Sequence, residues 1–285
     1  MKLFLDTADL EKIKEAESWR VIDGVTTNPS LIKQAFLAMR KSGTKIDMEG
    51  YIKQILATVG RMCPVSLEVP GLQSDIMVEQ GLFLYEKFNQ VAGNVVIKIP
   101  VCPVHPQGNG EPFDGIKAIS VLSDEKVPVN ATLIFTPEQA LLAAKAGAEF
   151  VSPFAGRVDD RIRRTARKTF EKHDYFPAHG ISSESSPDLC VMDHGLVSGI
   201  DLVATIVDIF REYEIECEVI AASVRNAVQV RECAEVGAHI ATIPFEVLKA
   251  MVMHPGTEAG IKAFTEDLVD EYTALFTKMK ENSEE

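Results

Sequence analysis

Short apolar runs recur along the whole chain, most of them followed by a segment of helical periodicity. The runs predict strands over residues 3–6, 21–26, 65–69, 95–99, 127–132, 150–153, 218–222 and 239–243. The run at 95–99 is continuously apolar and β-branched rather than alternating, the pattern of a strand buried on both sides of a parallel sheet. Between the runs, residues 75–88, 136–146 and 225–236 read as amphipathic helices. Thr136-Pro137-Glu138-Gln139 offers a capping hydroxyl, a proline at the first helical position and acid in the first turn. Gly147 and Gly237 sit just past helix ends, where a left-handed residue closes the last turn. Eight strands alternating with helices predict an α/β fold, a (β/α)8 TIM barrel. The competing architecture is a doubly wound open sheet, and it is weakened because no G-x-G-x-x-G follows the first strand.

The spacing breaks twice. Residues 101–113 are rich in proline and glycine and read as a loop. Residues 159–194 form a longer insertion that opens with the basic run Arg161-Ile162-Arg163-Arg164-Thr165-Ala166-Arg167-Lys168. Both breaks follow a strand, so both are expected over the mouth of the barrel. The basic run reads as a solvated helix face, with a lid or an extension of an anion site as the alternative. Residues 1–256 are expected to form one barrel domain with these insertions, and 257–280 a long amphipathic C-terminal helix with a frayed tail at 281–285.

In a barrel of this kind, polar residues at the C-terminal ends of strands converge on one site. Here those ends carry Asp6; Thr26-Thr27-Asn28-Pro29-Ser30; Glu68; Lys98; Asn130 and Thr132; Ser152 and Phe154 with Arg157 beyond; and Ser223 with Arg225. One such residue would be a strand terminus meeting solvent. Carboxylates, amides, hydroxyls and a lysine on successive strands are a candidate catalytic set. Lys98 is the sharpest of them, because Val95-Val96-Ile97-Lys98-Ile99 places an amine inside an apolar run. Burial favours its neutral form, and a neutral amine in a cleft is a nucleophile toward carbonyls. The bland alternative is a lysine that carries its ammonium to water along its own stem. Thr26 and Thr27 serve either the site or the turn before Pro29.

Charge narrows the partners. Among 285 residues, 42 acidic against 29 basic side chains give −13, a field that repels nucleic acid and anionic lipid. An anionic substrate must then meet a local basic pocket, for which Arg157 and Arg225 with Ser223 are the best candidates; the alternative is that both arginines pair with surface acids. No uncharged stretch is long enough to span a membrane, Asp6 interrupts the first apolar run too early for a signal peptide, and the five cysteines are scattered with no C-x-x-C pair. A cytoplasmic protein with reduced thiols is expected. His173, His179, Cys190 and His194 cluster in the long insertion, but their spacing matches no common zinc pattern, and no metal is expected.

Taken together and in order, Phe4-Leu5-Asp6-Thr7-Ala8, Gly24-Val25-Thr26-Thr27-Asn28-Pro29-Ser30, Val96-Ile97-Lys98-Ile99-Pro100, Asn130-Ala131-Thr132-Leu133-Ile134-Phe135, Ser152-Pro153-Phe154-Ala155-Gly156-Arg157-Val158-Asp159-Asp160 and Ala221-Ala222-Ser223-Val224-Arg225 resemble the transaldolase family. The similarity is to its compact bacterial and archaeal form, related to fructose-6-phosphate aldolase, and covers nearly the whole chain outside the two insertions. It implies a (β/α)8 barrel, a Schiff base at Lys98, sugar-phosphate substrates, no metal or other cofactor, and a homo-oligomer that uses the C-terminal helix. It implies Asp6 as the general base at the departing aldehyde, Glu68 and Thr132 as holders of the water that forms and releases the imine, and Asn28, Asn130 and Ser152 as partners of the three-carbon unit's hydroxyls. Arg157, Ser223 and Arg225 would hold phosphate, and Phe154 would restrict water. Glu68 and Phe154 resemble the transferring branch, where the aldolase branch tends to carry glutamine and tyrosine. The alternatives are aldolase-type cleavage and a barrel that binds sugar phosphates without turnover. The insertions leave the acceptor open.

Overall fold

All eight predicted runs form strands: β1 (Lys2–Asp6), β2 (Gly24–Thr26), β3 (Val65–Glu68), β4 (Val95–Pro100), β5 (Val129–Ile134), β6 (Phe150–Pro153), β7 (Glu218–Ala221) and β8 (Ile240–Ile243). Each pairs in parallel with its sequence neighbours, and β1 pairs with β8 to close the barrel. The helices are α1 (Leu10–Ser18), α2 (Pro29–Lys41), α3 (Met48–Val59), α4 (Ser74–Ala92), α5 (Asp114–Asp124), α6 (Pro137–Lys145), α7 (Ala155–Thr165), α8 (Gly199–Glu212), α9 (Ala227–Glu235) and α10 (Phe245–Ala250). This computed structural model describes residues 1–41, 47–61, 63–184 and 189–281. The chain divides into two compact units, Met1–Leu248 and Lys249–Glu285.

Local chemistry sets the element ends. Thr136 accepts from the Gln139 backbone at 3.3 Å while Gln139 Oε1 accepts from the Thr136 backbone at 3.2 Å, a complete capping box at α6. Gly147 and Gly237 have φ of 93° and 84°, as expected of residues that close α6 and α9. The fifth strand starts two residues later than the apolar run, because Val127 N–H donates to Leu122 O and finishes α5 instead.

Period two along each strand decides what the barrel holds. Phe4, Val96, Phe150, Ile220 and Ile240 come from β1, β4, β6, β7 and β8 and pack into one buried cluster, so they fill the barrel interior. Gly24 makes room for them: a Cβ there would sit 2.7 Å from the Phe4 ring. Two residues further along the same strands, on the same inward face, stand Asp6, Lys98, Ser152, Ala222 and Thr242. The intervening residues, Ile97 among them, face the helices and join the large core. An apolar plug thus lies beneath a polar floor.

The second unit holds α11 (Pro255–Glu266) and α12 (Asp270–Glu281). The single helix expected over 257–280 is therefore two. The first ends where Asp267 N–H closes onto Ala263 O, and the second restarts with acid at Asp270 and Glu271. Residues 282–285 of the expected frayed tail lie outside the described residues. Ile261, Phe264, Tyr272, Leu275 and Phe276 are all more than half exposed. Among the described residues no helix is long and apolar enough to cross a membrane.

Candidate active site

A cavity of about 770 Å³ opens above the polar floor, lined by Asp6, Asn28, Glu68, Lys98, Ser152, Phe154, Arg157, Ser223 and Arg225 among others. Twelve of the residues expected at strand ends, Thr26, Pro29 and Ser30 among them, thus line it. Lys98 is 5% exposed. Its Nζ donates to Thr27 O at 3.2 Å and lies 3.5 Å from Glu68 Oε2. It does not snorkel to solvent. Glu68 is its register partner on β3 and Asn130 its partner on β5.

Asn130 and Thr132 are not in the lining; both are fully buried. Asn130 Nδ2 donates to Ser66 Oγ at 3.2 Å, and its Oδ1 accepts from Ser152 Oγ at 2.7 Å. Thr132 Oγ1 is buried with no hydrogen-bond partner among the described residues. Asn28 Oδ1 accepts from Leu31 N–H at 3.0 Å and caps α2, whose Pro29 supplies the preset first turn. Thr27 is structural through its hydroxyl, which donates to Ser66 O at 2.7 Å. Thr26 serves the site, donating to Asp6 Oδ1 at 2.9 Å and sharing a short contact with Thr242 Oγ1.

The two carboxyls of the floor hold protons more tightly than usual. Burial raises Asp6, against the opposing charge of Lys98, the Thr26 hydrogen bond, and the charges of Lys172 and Arg225. Burial raises Glu68 as well; Lys98 and then Arg157 pull it down, and Asp6 pushes it further up.

Two arginines line the same cavity. The Arg157 guanidinium lies 5.0 Å from the Phe154 ring centroid, and Phe154 packs on Phe135 at 5.8 Å. Arg225 does pair with an acid, yet a buried one: Nη2 donates to Asp160 Oδ2 at 3.0 Å. Burial lowers the Arg225 pKa from its ordinary value, with Asp160 opposing. Ser223 is held at φ 62°, a left-handed conformation uncommon outside glycine. Its carbonyl lies against Gly156, where a Cβ would approach to 2.2 Å.

The insertions behave differently from each other. Among the described residues, 101–113 lines no part of this cavity; Asn109 and Glu111 instead border an open, acidic groove beside α4. The long insertion does reach the cavity, through Lys172 and His173. Its basic run is not a solvated face throughout: Arg163 is buried and donates to Asp174 O and Tyr175 O, Arg161 pairs with Asp193 at 2.7 Å, and Lys168 pairs with Glu184 at 2.7 Å. Cys190 Sγ contacts the Ile181 carbonyl at 3.4 Å and His194 pairs with Asp193 at 3.1 Å. Among the described residues no group of His, Cys, Asp or Glu is placed to hold an ion.

Sequence reasoning missed Thr242, Leu133 and Lys172. Thr242 had a signal, since it follows Ile240 by two in a strand. Leu133 had none: it lines the cavity at φ 58°, where the β5–β6 register shifts between Ala131 and Ile134.

The chain that carries this lysine, these two carboxyls and these two arginines is similar to known proteins along nearly its whole length. The family model for transaldolase/fructose-6-phosphate aldolase matches residues 3–285. A "probable transaldolase" of Chlorobium chlorochromatii (strain CaD3) is 41% identical over 94% of this chain and 97% of its own. One from Hydrogenobaculum sp. (strain Y04AAS1) is 40% identical, covering 94% and 96%. A third, from Clostridium perfringens (strain SM101 / Type A), is 40% identical over 98% of this chain and 100% of its own. With near-complete coverage on both sides, the chain belongs to the transaldolase/fructose-6-phosphate aldolase family.

Proposed function

We propose that this protein is a transaldolase working through a Schiff base at Lys98. The observation that carries the reading is the buried amine 3.5 Å from Glu68 at the floor of a cavity that also holds Asp6. Attack on the ketone carbon of a ketose phosphate needs the amine free of its extra proton, and Glu68 is within reach to take it. Loss of water then gives an iminium, whose positive nitrogen accepts the electron pair of the breaking carbon–carbon bond. No metal is called for on this route. Asp6, with its raised proton affinity, takes the proton from the hydroxyl on the departing carbon, and an aldose phosphate leaves. The enamine attacks an acceptor aldehyde, Asp6 returns the proton, and water held by Glu68 and Thr132 releases the new ketose. The unpartnered Thr132 hydroxyl supports that last role, because a buried donor without a partner is costly unless water meets it.

Asn28 and Ser152 line the cavity and hold the hydroxyls of the three-carbon unit; Asn130 acts beside Lys98 and through Ser152. Arg157, Ser223 and Arg225 hold the phosphate, and Phe154 keeps bulk water from the enamine until an acceptor arrives. The donors are sedoheptulose 7-phosphate and fructose 6-phosphate, the acceptors erythrose 4-phosphate and glyceraldehyde 3-phosphate, and the proposed setting is the pentose phosphate pathway in the cytoplasm. The exposed apolar side chains of α11 and α12 support a homo-oligomer built through the C-terminal unit. Borohydride with fructose 6-phosphate should fix a three-carbon adduct at Lys98, and turnover should require erythrose 4-phosphate. An unmodified intact mass overturns the Schiff base, and turnover independent of the aldose makes the enzyme an aldolase instead.

A further inference from the structure

The long insertion is anchored where it passes the cavity. Arg163 of α7 lies with its guanidinium 4.9 Å from the Phe170 ring and 5.0 Å from the Phe176 ring, and Phe176 is almost fully buried. From there its Nη2 donates to Asp174 O at 2.9 Å and Tyr175 O at 2.8 Å. Tyr175 OH donates to Glu232 Oε1 of α9 at 2.6 Å. Asn226, the residue after Arg225, donates through Nδ2 to His173 O at 3.3 Å. Residues 170–176 are thereby pinned at both ends and in the middle, and the two side chains between the pins, Lys172 and His173, line the cavity.

The same network reaches Arg225. Asp160 accepts from Arg225 Nη2 at 3.0 Å and lies 3.9 Å from Arg163 Nη1, so one buried carboxylate stands between the guanidinium that faces the cavity and the one that holds the insertion. This pairing offsets part of the Arg225 charge. A phosphate dianion at this end then faces Arg157, a partly neutralised Arg225, and the acids Asp6, Glu68 and Glu246 of the same lining, in a protein of net charge −13. Among the described residues of the lining, Lys172 is the one further lysine or arginine apart from the floor amine Lys98, and its charge pulls against the raised pKa of Asp6.

We infer that Lys172 is a specificity-determining residue: held at the rim by the Arg163 clamp, it binds the phosphate of the incoming sugar together with Arg157 and Arg225. The inference rests on the sugar-phosphate reading above, but its test does not depend on turnover. A lysine supplies a compact point charge on a flexible stem, suited to a phosphate that arrives and leaves in each half-reaction.

Calorimetric titration with erythritol 4-phosphate, an unreactive polyol phosphate, and with phosphate-free erythritol separates the contributions. Lys172→Ala should weaken erythritol 4-phosphate roughly fivefold and leave erythritol unchanged. Lys172→Arg should retain most of the wild-type affinity, and added salt should shrink the gap between wild type and Lys172→Ala. Lys172 is exposed, so its variants keep the fold. Equal weakening of both ligands, or equal affinity of wild type and Lys172→Ala for the phosphate, overturns the assignment. Borohydride trapping with fructose 6-phosphate, run on the same preparations, reports separately on Lys98: a wild type that traps no adduct sinks the Schiff base, whatever Lys172 does to the titration.

Discussion

Glu68 and Lys98 are register partners on adjacent strands, and their end groups meet 3.5 Å apart. On the proposed route Glu68 is the base within reach of the amine when it attacks. Each holds the other in an environment that penalises a lone charge.

Lys98→Ala is therefore expected to abolish turnover while the circular dichroism spectrum stays native. It should also raise the Glu68 and Asp6 pKa values further, because the positive charge of Lys98 is the strongest pull against burial at both. Carboxyl NMR titration or infrared difference spectra would read that shift. Carboxyls that titrate as in wild type would mean that the lysine does not act on them, and loss of the folded spectrum would make it a structural residue.

Glu68→Gln with Phe154→Tyr tests transfer against cleavage. Glutamine cannot take up a proton, and a tyrosine hydroxyl brings a polar group to a wall that is now apolar. Water held there can protonate the enamine before an acceptor attacks it. The ratio of released dihydroxyacetone to transferred product should rise several-fold in the double variant. An unchanged ratio would refute the roles given to these two side chains.

Much of this was legible in the chain because two periodicities coincide. Apolar runs mark the strands, and period two carries each inward face from Phe4 to Asp6 or from Val96 to Lys98. The strand-end residues therefore declare both their strand and their direction. Where a residue's role depends on a distant segment, the pattern is silent. Arg163 sits in a basic run that reads as solvated, and only the folded insertion buries it between Phe170 and Phe176. Lys172 belongs to no periodic segment at all. The break between α11 and α12 was missed because residues 257–280 keep a helical pattern through Asp267, where a weak helix former ends the turn.

Asp159 makes stability pH-dependent. It accepts from Gly199 N–H and Gln229 Nε2, both at 2.7 Å, yet burial raises its pKa to about 7 from 3.8. A carboxyl with a higher pKa folded than unfolded binds its proton more tightly in the folded state. Stability is then lost as pH rises from 3.8 to about 7, by on the order of 4 kcal/mol in total from this group. Asp159→Asn should flatten that part of the profile of Tm against pH and lower stability at acid pH, where one of its two hydrogen bonds is lost. A profile as steep as that of wild type would mean that Asp159 is not the group responsible.

Gly156→Ala tests whether the phosphate end is one mechanical piece. A Cβ at this position would lie 2.2 Å from Ser223 O and 2.6 Å from Arg225 Nε. The Ser223 segment has little freedom to retreat: Ala222 N–H is bonded to Pro153 O at 2.9 Å, and Ser223 already sits at φ 62°. The methyl should therefore displace Ser223 and Arg225 together. Overpacking of this kind costs about 2 kcal/mol, a fall in Tm of roughly 5 °C. The KM for phosphorylated substrates should rise more than kcat falls, since Lys98 and Glu68 lie on other strands. Val158→Ala, in the same helix at a fully buried apolar site, supplies the comparison: similar loss of stability, unchanged KM. If Gly156→Ala destabilises the protein but keeps the wild-type KM, then the close approach of Gly156 to Ser223 serves packing alone, and the phosphate is held elsewhere.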